Sequence, residues 1–120
     1  METAKERIIT NLLEVYENLE KSIGVTKAHQ AEESILEGLN LTYNQLKGIL
    51  EKEGLSSIDS TGKKLDPFKH EVLMTETRDD CEEDTILEEY QKGYMLNNKV
   101  IRYSKVKVSS RKISGKGGNV

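Results

Sequence analysis

A chain of 120 residues that is 35% hydrophobic and 32% charged, with one phenylalanine and no tryptophan, lacks the large apolar material for two big domains or a thick core of its own. Its net charge of -3 gives no long-range attraction for nucleic acid or an anionic membrane, and no apolar run approaches the roughly 20 residues of a membrane span. The single cysteine, Cys81, excludes an internal disulfide, and the opening METAKERI lacks a signal peptide's apolar segment, so a cytoplasmic protein is expected.

From Glu2 to Ile23, the residues Ile8, Leu12, Val15, Leu19 and Ile23 recur in steps of four and three, with Ile9, Leu13 and Tyr16 widening the stripe. This predicts an amphipathic helix. Gly24 is expected to end it, making GVT a break, because glycine tolerates the left-handed conformation of a helix end. Thr26 then reads as the N-cap of a second helix running to about Glu53, with Gly54 as its stop. Along it Ile35, Leu39, Thr42, Leu46 and Ile49 carry the stripe, broadened by Leu36, Tyr43 and Leu50. At about 1.5 Å per residue it would be roughly 40 Å long. Stripes this wide exceed one two-helix seam, so two hairpins are expected to pair as a homodimer with a four-helix bundle; the alternative is a hairpin folded against its own C-terminal region.

Beyond Gly54 the period changes. In LDPFKHEVLM, Leu65 to Met74, Asp66-Pro67 is a turn-starting pair. Phe68, Val72 and Met74 are expected to supply apolar cover where turn meets strand, and His70 to be a polar residue satisfied inside the joint. TILEEY, YMLNNKVIR and KVKV read as strands, with Asn97-Asn98 suited to a tight hairpin turn. The fold class is therefore α+β: a helical dimerisation region at 1–54, a small all-β C-terminal domain at 55–110, and a glycine-rich basic tail at 111–120 that is expected to be flexible.

Few residues offer chemistry. Asp66, His70 and Glu71 fall short of a zinc ligand set, His29 being distant on the second helix, so no metal is expected. A catalytic carboxylate or histidine needs a walled pocket, for which this composition provides little, and GKGGNV has neither the strand before it nor the helix after it that a phosphate loop requires. Neither catalysis nor a cofactor is expected. Cys81 sits in RDDCEED, an anionic setting unsuited to thiolate chemistry. Charge is unevenly spread: Glu71 to Tyr90 holds nine acids and one base, whereas Lys99 to the end holds seven bases and no acid. Lys99, Arg102, Lys105 and Lys107 around Tyr103 could contact nucleic acid, but alternating lysines more often mark the solvated face of an edge strand, or a surface for a protein partner.

The order LDPFKHEVLM, an acidic stretch, then TILEEYQKGYMLNNKVIRYSKVKV resembles the β domain of GrpE-type nucleotide exchange factors, whose pattern is roughly F-D-P-x-x-H-E-A followed by V-x-E-E-L-Q-K-G-Y-x-L-N-x-R-V-I-R. LLEVYENLEKSI resembles the end of the family's long helix and ILEGLNLTYNQLKGILEKEGL its next helix. The resemblance covers about Arg7 to Ser109. It implies a dimer with paired long helices, a four-helix bundle and a β domain on each protomer. It also implies binding to the nucleotide-binding domain of a DnaK-type chaperone to accelerate ADP release, with no bond made or broken, no nucleic acid and no membrane. Position by position it implies partner contacts at Leu65, Pro67, Tyr90, Lys99 and Val108 in the β domain, and at Gly38 and Lys21 on the helices. Tyr90 stands where Leu or Met is usual, RYSKV replaces R-P-A-M-V, and the sequence begins inside the family's long helix. The rival reading is a dimeric structural adaptor of the same fold without exchange activity.

Overall fold

The computed structural model describes residues 2–111; the expected tail lies outside the described residues from position 112. The chain divides after Leu55 into two compact units, a helical hairpin and a small β unit.

Helix α1 (Ala4–Ala28) begins at a reciprocal cap: the Thr3 hydroxyl accepts from the Glu6 amide at 3.1 Å, and the Glu6 carboxylate accepts from the Thr3 amide at 2.9 Å. The expected break at Gly24 does not occur. One interior glycine costs a helix only about 1 kcal/mol relative to alanine, and α1 runs through it, half-burying Ile23 and Thr26 in its last turns. Thr26 therefore lies inside α1 and is not the N-cap of the next helix. The chain turns instead at Gln30, whose φ is 55°, after His29 has capped α1 through bonds to the Val25 carbonyl. Helix α2 (Glu33–Lys52) starts at Glu32 without a side-chain cap. With 20 residues it is about 30 Å long rather than 40 Å. Gly54, at φ 105°, ends it as its position led one to expect.

Ile9, Leu13 and Tyr16 of α1 and Leu50 of α2 are the buried apolar residues of the hairpin. Half-buried Leu36, Leu39, Tyr43 and Leu46 continue the α2 seam in steps of three and four. Tyr16 and Tyr43 stack with centroids 5.1 Å apart, and their hydroxyls are 3.1 Å apart. The residues that widened the predicted stripe, joined on α2 by Leu39 and Leu46, thus make the seam. Ile8, Val15, Ile35 and Ile49, central to that stripe, stay more than half exposed.

The β unit contains β1 (Leu55–Ser57), β2 (His70–Thr77), β3 (Ile86–Gln91), β4 (Tyr94–Leu96), β5 (Lys99–Arg102) and β6 (Ser104–Ser110). They form two three-stranded sheets, β1-β4-β5 and β2-β6-β3. Strands β4 and β5 are the expected hairpin, with Asn97 at φ 56° in its turn. Strand β6 runs parallel to β2 and antiparallel to β3, so the KVKV segment is the central strand of its sheet and not an edge. Its alternation still holds: Val106 and Val108 are buried and pack with Ile86, while Lys105 and Lys107 point to the other face. Among the described residues, no helix is long and apolar enough to cross a membrane.

The central position of β6 also explains the uneven charge. Lys107 Nζ lies 2.8 Å from Glu76 on β2 and 3.6 Å from Glu88 on β3, so the basic segment is laid between the acidic ones. The expected apolar cover by Phe68, Val72 and Met74 is not found. All three are exposed, Phe68 by 81%, because Phe68 projects from the turn and β2 is an edge strand interrupted by a bulge at Leu73.

Candidate functional site

The turn that opens the β unit is held by its own first residue. The Asp66 carboxylate accepts from the Phe68 amide at 2.9 Å, and the Asp66 carbonyl accepts from the amides of Lys69 and His70, each at 2.9 Å. Pro67 presets the backbone between them and is exposed. The Leu65 amide donates to the Asp84 carbonyl at 2.8 Å, which ties the entrance of the turn to the loop before β3.

His70 locks the arrangement from below. It is only 7% exposed; Nδ1 lies 2.9 Å from the Asp66 amide nitrogen, and Nε2 lies 3.2 Å from Ser60 Oγ. A backbone amide can only donate, so Nδ1 is the acceptor and Nε2 carries the proton. Ser60 Oγ in turn donates to Ser104 Oγ at 3.0 Å, which also accepts from the Gly93 amide at 3.0 Å. The network thus runs from the turn through β2 to β6 and the start of β4. Burial holds the His70 pKa below the ordinary imidazole value. With its proton on Nε2, the ring cannot accept the Ser60 proton, so this close His–Ser pair is not arranged as a nucleophile and its base.

Around this turn Ser57, Asp59, Lys63, Lys69 and His70 line part of an open cleft of about 360 Å³. Lys63 is paired with Asp59 at 3.7 Å, and Lys64 with Glu82 at 3.2 Å. Among the described residues, no group of three His, Cys, Asp or Glu side chains converges as a metal site would require.

Leu65 is half-buried and packs against the cluster of Ile86, Val106 and Val108. Val108 itself, inferred from the resemblance as a partner contact, is 3% exposed: the parity of β6 turns it inward, away from the displayed surface. Tyr90, on β3, is 42% exposed, and its hydroxyl lies 3.5 Å from the Met74 sulfur across the outer face of the same sheet. Lys99 is exposed at the start of β5, opposite Leu96 and in the other sheet. Gly38 on α2 and Lys21 on α1 are exposed on the hairpin. A Cβ placed on Gly38 would meet nothing within 4 Å, so the chain's own packing does not require glycine there.

Phe68 and Met74 join the set because they are displayed beside Pro67 and Tyr90 respectively. Neither was legible as a surface residue, since periodicity cannot reveal a bulge or the direction of a turn. On the same outer face, the Lys107 hydrogen bond holds the Glu76 carboxyl below the usual carboxylate range, and Asp80 raises the Arg78 pKa.

These elements define an α+β protein, a helical hairpin followed by an all-β unit that displays apolar, aromatic and cationic side chains. Residues 1–110 match the GrpE family model, and the chain belongs to that family. It is 47% identical over 108 residues to Protein GrpE of Methanosphaera stadtmanae, covering 90% of this chain and 60% of that one. It is 43% identical to Protein GrpE of Methanobrevibacter smithii over 108 residues, covering 90% and 57%. For Protein GrpE of Methanothermobacter thermautotrophicus, identity is 41% over 111 residues, covering 92% and 60%. The chain therefore spans about 60% of the length of these curated relatives.

Proposed function

We propose that the protein is a nucleotide exchange factor: it binds the nucleotide-binding domain of a DnaK-type chaperone, favours the open form of its cleft and speeds ADP release in the protein-folding and stress-response cycle. Family membership supports the reading, and the observation that carries it to residues is the pinned turn, which displays Pro67 and Phe68 above a buried support. Such a surface suits protein contact, with apolar residues supplying buried area and Lys99 supplying orientation. Leu65, Pro67, Tyr90 and Lys99 are the contacts on the β unit, Val108 is buried in the cluster against which Leu65 packs, and Gly38 and Lys21 are contacts on the hairpin.

The factor acts by differential binding. It makes and breaks no bond, and linkage requires ADP to weaken its binding by the same factor by which it weakens ADP. It acts as a cytoplasmic homodimer, a reading supported by the exposed Ile8 and Val15 on α1 and Ile35 and Ile49 on α2. No metal, cofactor, membrane or nucleic acid enters this mechanism.

Stopped-flow release of a fluorescent ADP analogue from the cognate DnaK-type chaperone tests the proposal. Release should accelerate and saturate as the chain is added. Binding without acceleration at saturation would overturn exchange and favour the dimeric adaptor.

A further inference from the structure

We propose that His70 is a proton-sensitive positioning residue: its neutral ring holds the Leu65–Phe68 turn in the shape a partner meets, and a second proton on the ring releases that turn. The partner side of this inference rests on the function proposed above; the conformational side does not.

The geometry carries the argument. Nδ1 accepts from the Asp66 amide at 2.9 Å, and that amide belongs to the residue whose carbonyl and carboxylate organise the rest of the turn. Nε2 already holds a proton, committed to Ser60 at 3.2 Å. A further proton can therefore go only to Nδ1, where it removes the lone pair and sets an N–H against the Asp66 N–H. The half-buried Asp66 amide and the new Nδ1–H of a buried imidazolium then both lack an acceptor, a loss of about 1–3 kcal/mol for such groups. Opening the turn relieves this, because both groups then reach water.

The charges around the ring set how far the pH must fall. Burial favours the neutral ring most, and Lys69 adds to it, while the carboxylate and the backbone of Asp66, and then the Glu89 carboxylate, favour the cation without outweighing burial. Glu89 comes from β3; one of its oxygens is buried without a hydrogen-bond partner while the other lies 3.7 Å from Lys92, so its attraction for the ring is shared with that lysine. Asp59, Lys63 and Lys64 also line the cleft that His70 faces. The open turn should return the ring to an ordinary pKa near about 6.5. The closed turn is thus complete above that value, and as pH falls toward the depressed pKa of the closed state the open form gains.

Two measurements test this on the full chain. In an NMR titration from about pH 8 to about pH 5, a range that spans imidazole titration, the His70 ring should show the Nε2–H tautomer, and the Asp66 amide should shift with the ring's own midpoint. An Asp66 amide that ignores that midpoint, or an Nδ1–H tautomer, overturns the proposal whatever the chaperone does. In the second, His70→Asn keeps an acceptor near the Nδ1 position and cannot titrate. Affinity for the chaperone, taken as the ratio of wild type to His70→Asn at each pH, should fall on acidification by up to about tenfold for each pH unit separating the closed-turn and open-turn pKa values. A constant ratio overturns the coupling to the partner. Absence of binding at every pH refutes the exchange reading and leaves the NMR result standing on its own.

Discussion

At the scale of single residues, two glycines that look alike in sequence do opposite things. A Cβ at Gly93, the glycine of QKGY, would lie 2.5 Å from the Ser104 amide nitrogen and 2.9 Å from the Arg102 carbonyl oxygen, and these backbone atoms cannot move aside. Gly93→Ala should destabilise the β unit by about 1–3 kcal/mol, the usual cost of overpacking, measured by urea denaturation. Gly38 faces open space, so Gly38→Ala should stabilise the hairpin by about 1 kcal/mol through helix propensity. Gly38→Asp should keep the fold yet weaken chaperone binding; unchanged affinity would remove Gly38 from the contact surface. His70 was legible as structural because its motif lacked the ligands and walls of a reactive site. Its partners Ser60 and Ser104 were not, being 44 residues apart and joined only by the sheet.

At the scale of elements, the helices and strands were legible as kinds while their ends and neighbours were not. Gly24 signals a break, but the break falls where Gln30 takes a left-handed turn. A Cβ at Gly24 meets nothing within 4 Å, so Gly24→Ala should raise the helical melting midpoint and add about 1 kcal/mol; a loss of helicity by circular dichroism would restore the break. Strand β6 was recognisable from its Val–Lys alternation, yet its central place depends on which strands flank it. Val106 is fully buried there, and Val106→Ala should cost about 2 kcal/mol in denaturant unfolding, more than a valine on an exposed edge would. The Glu76–Lys107 pair acts between the same strands. Because Lys107 lowers the Glu76 pKa, its contribution is present above the ordinary carboxylate range and lost as pH falls through the lowered value, and salt should weaken it.

At the scale of the whole molecule, the hairpin leaves a second apolar stripe in water. Ile8 and Val15 are seven residues apart on α1, as are Ile35, Thr42 and Ile49 on α2, a spacing that suits a seam with another helix pair. Each of these aliphatic side chains is worth about 1.5–3 kcal/mol if fully buried, enough for several together to hold a dimer. Sedimentation equilibrium should give a dimer whose dissociation depends on concentration. A double change of Val15→Lys and Ile49→Lys should give a monomer that keeps its helical signal, since the Ile9, Leu13, Tyr16 and Leu50 seam is untouched. A wild-type monomer at all concentrations would reject the dimer.

The sequence by itself determined the α+β class, the amphipathic helices, the Gly54 stop, the Asn97 hairpin and the family, because these depend on local conformation, short periods and ordered motifs. Tertiary structure alone decided which of two overlapping helix stripes is the seam. It also decided that β6 lies between β2 and β3, that Phe68 and Met74 face outward, and that Val108 is buried in the cluster against which Leu65 packs. Periodicity states that a side has apolar residues but not what covers it; that depends on segments distant along the chain. In LDPFKHEVLM the sequence marked a turn, and only the folded chain, by placing Ser60 and Ser104 under His70, made that turn a supported surface.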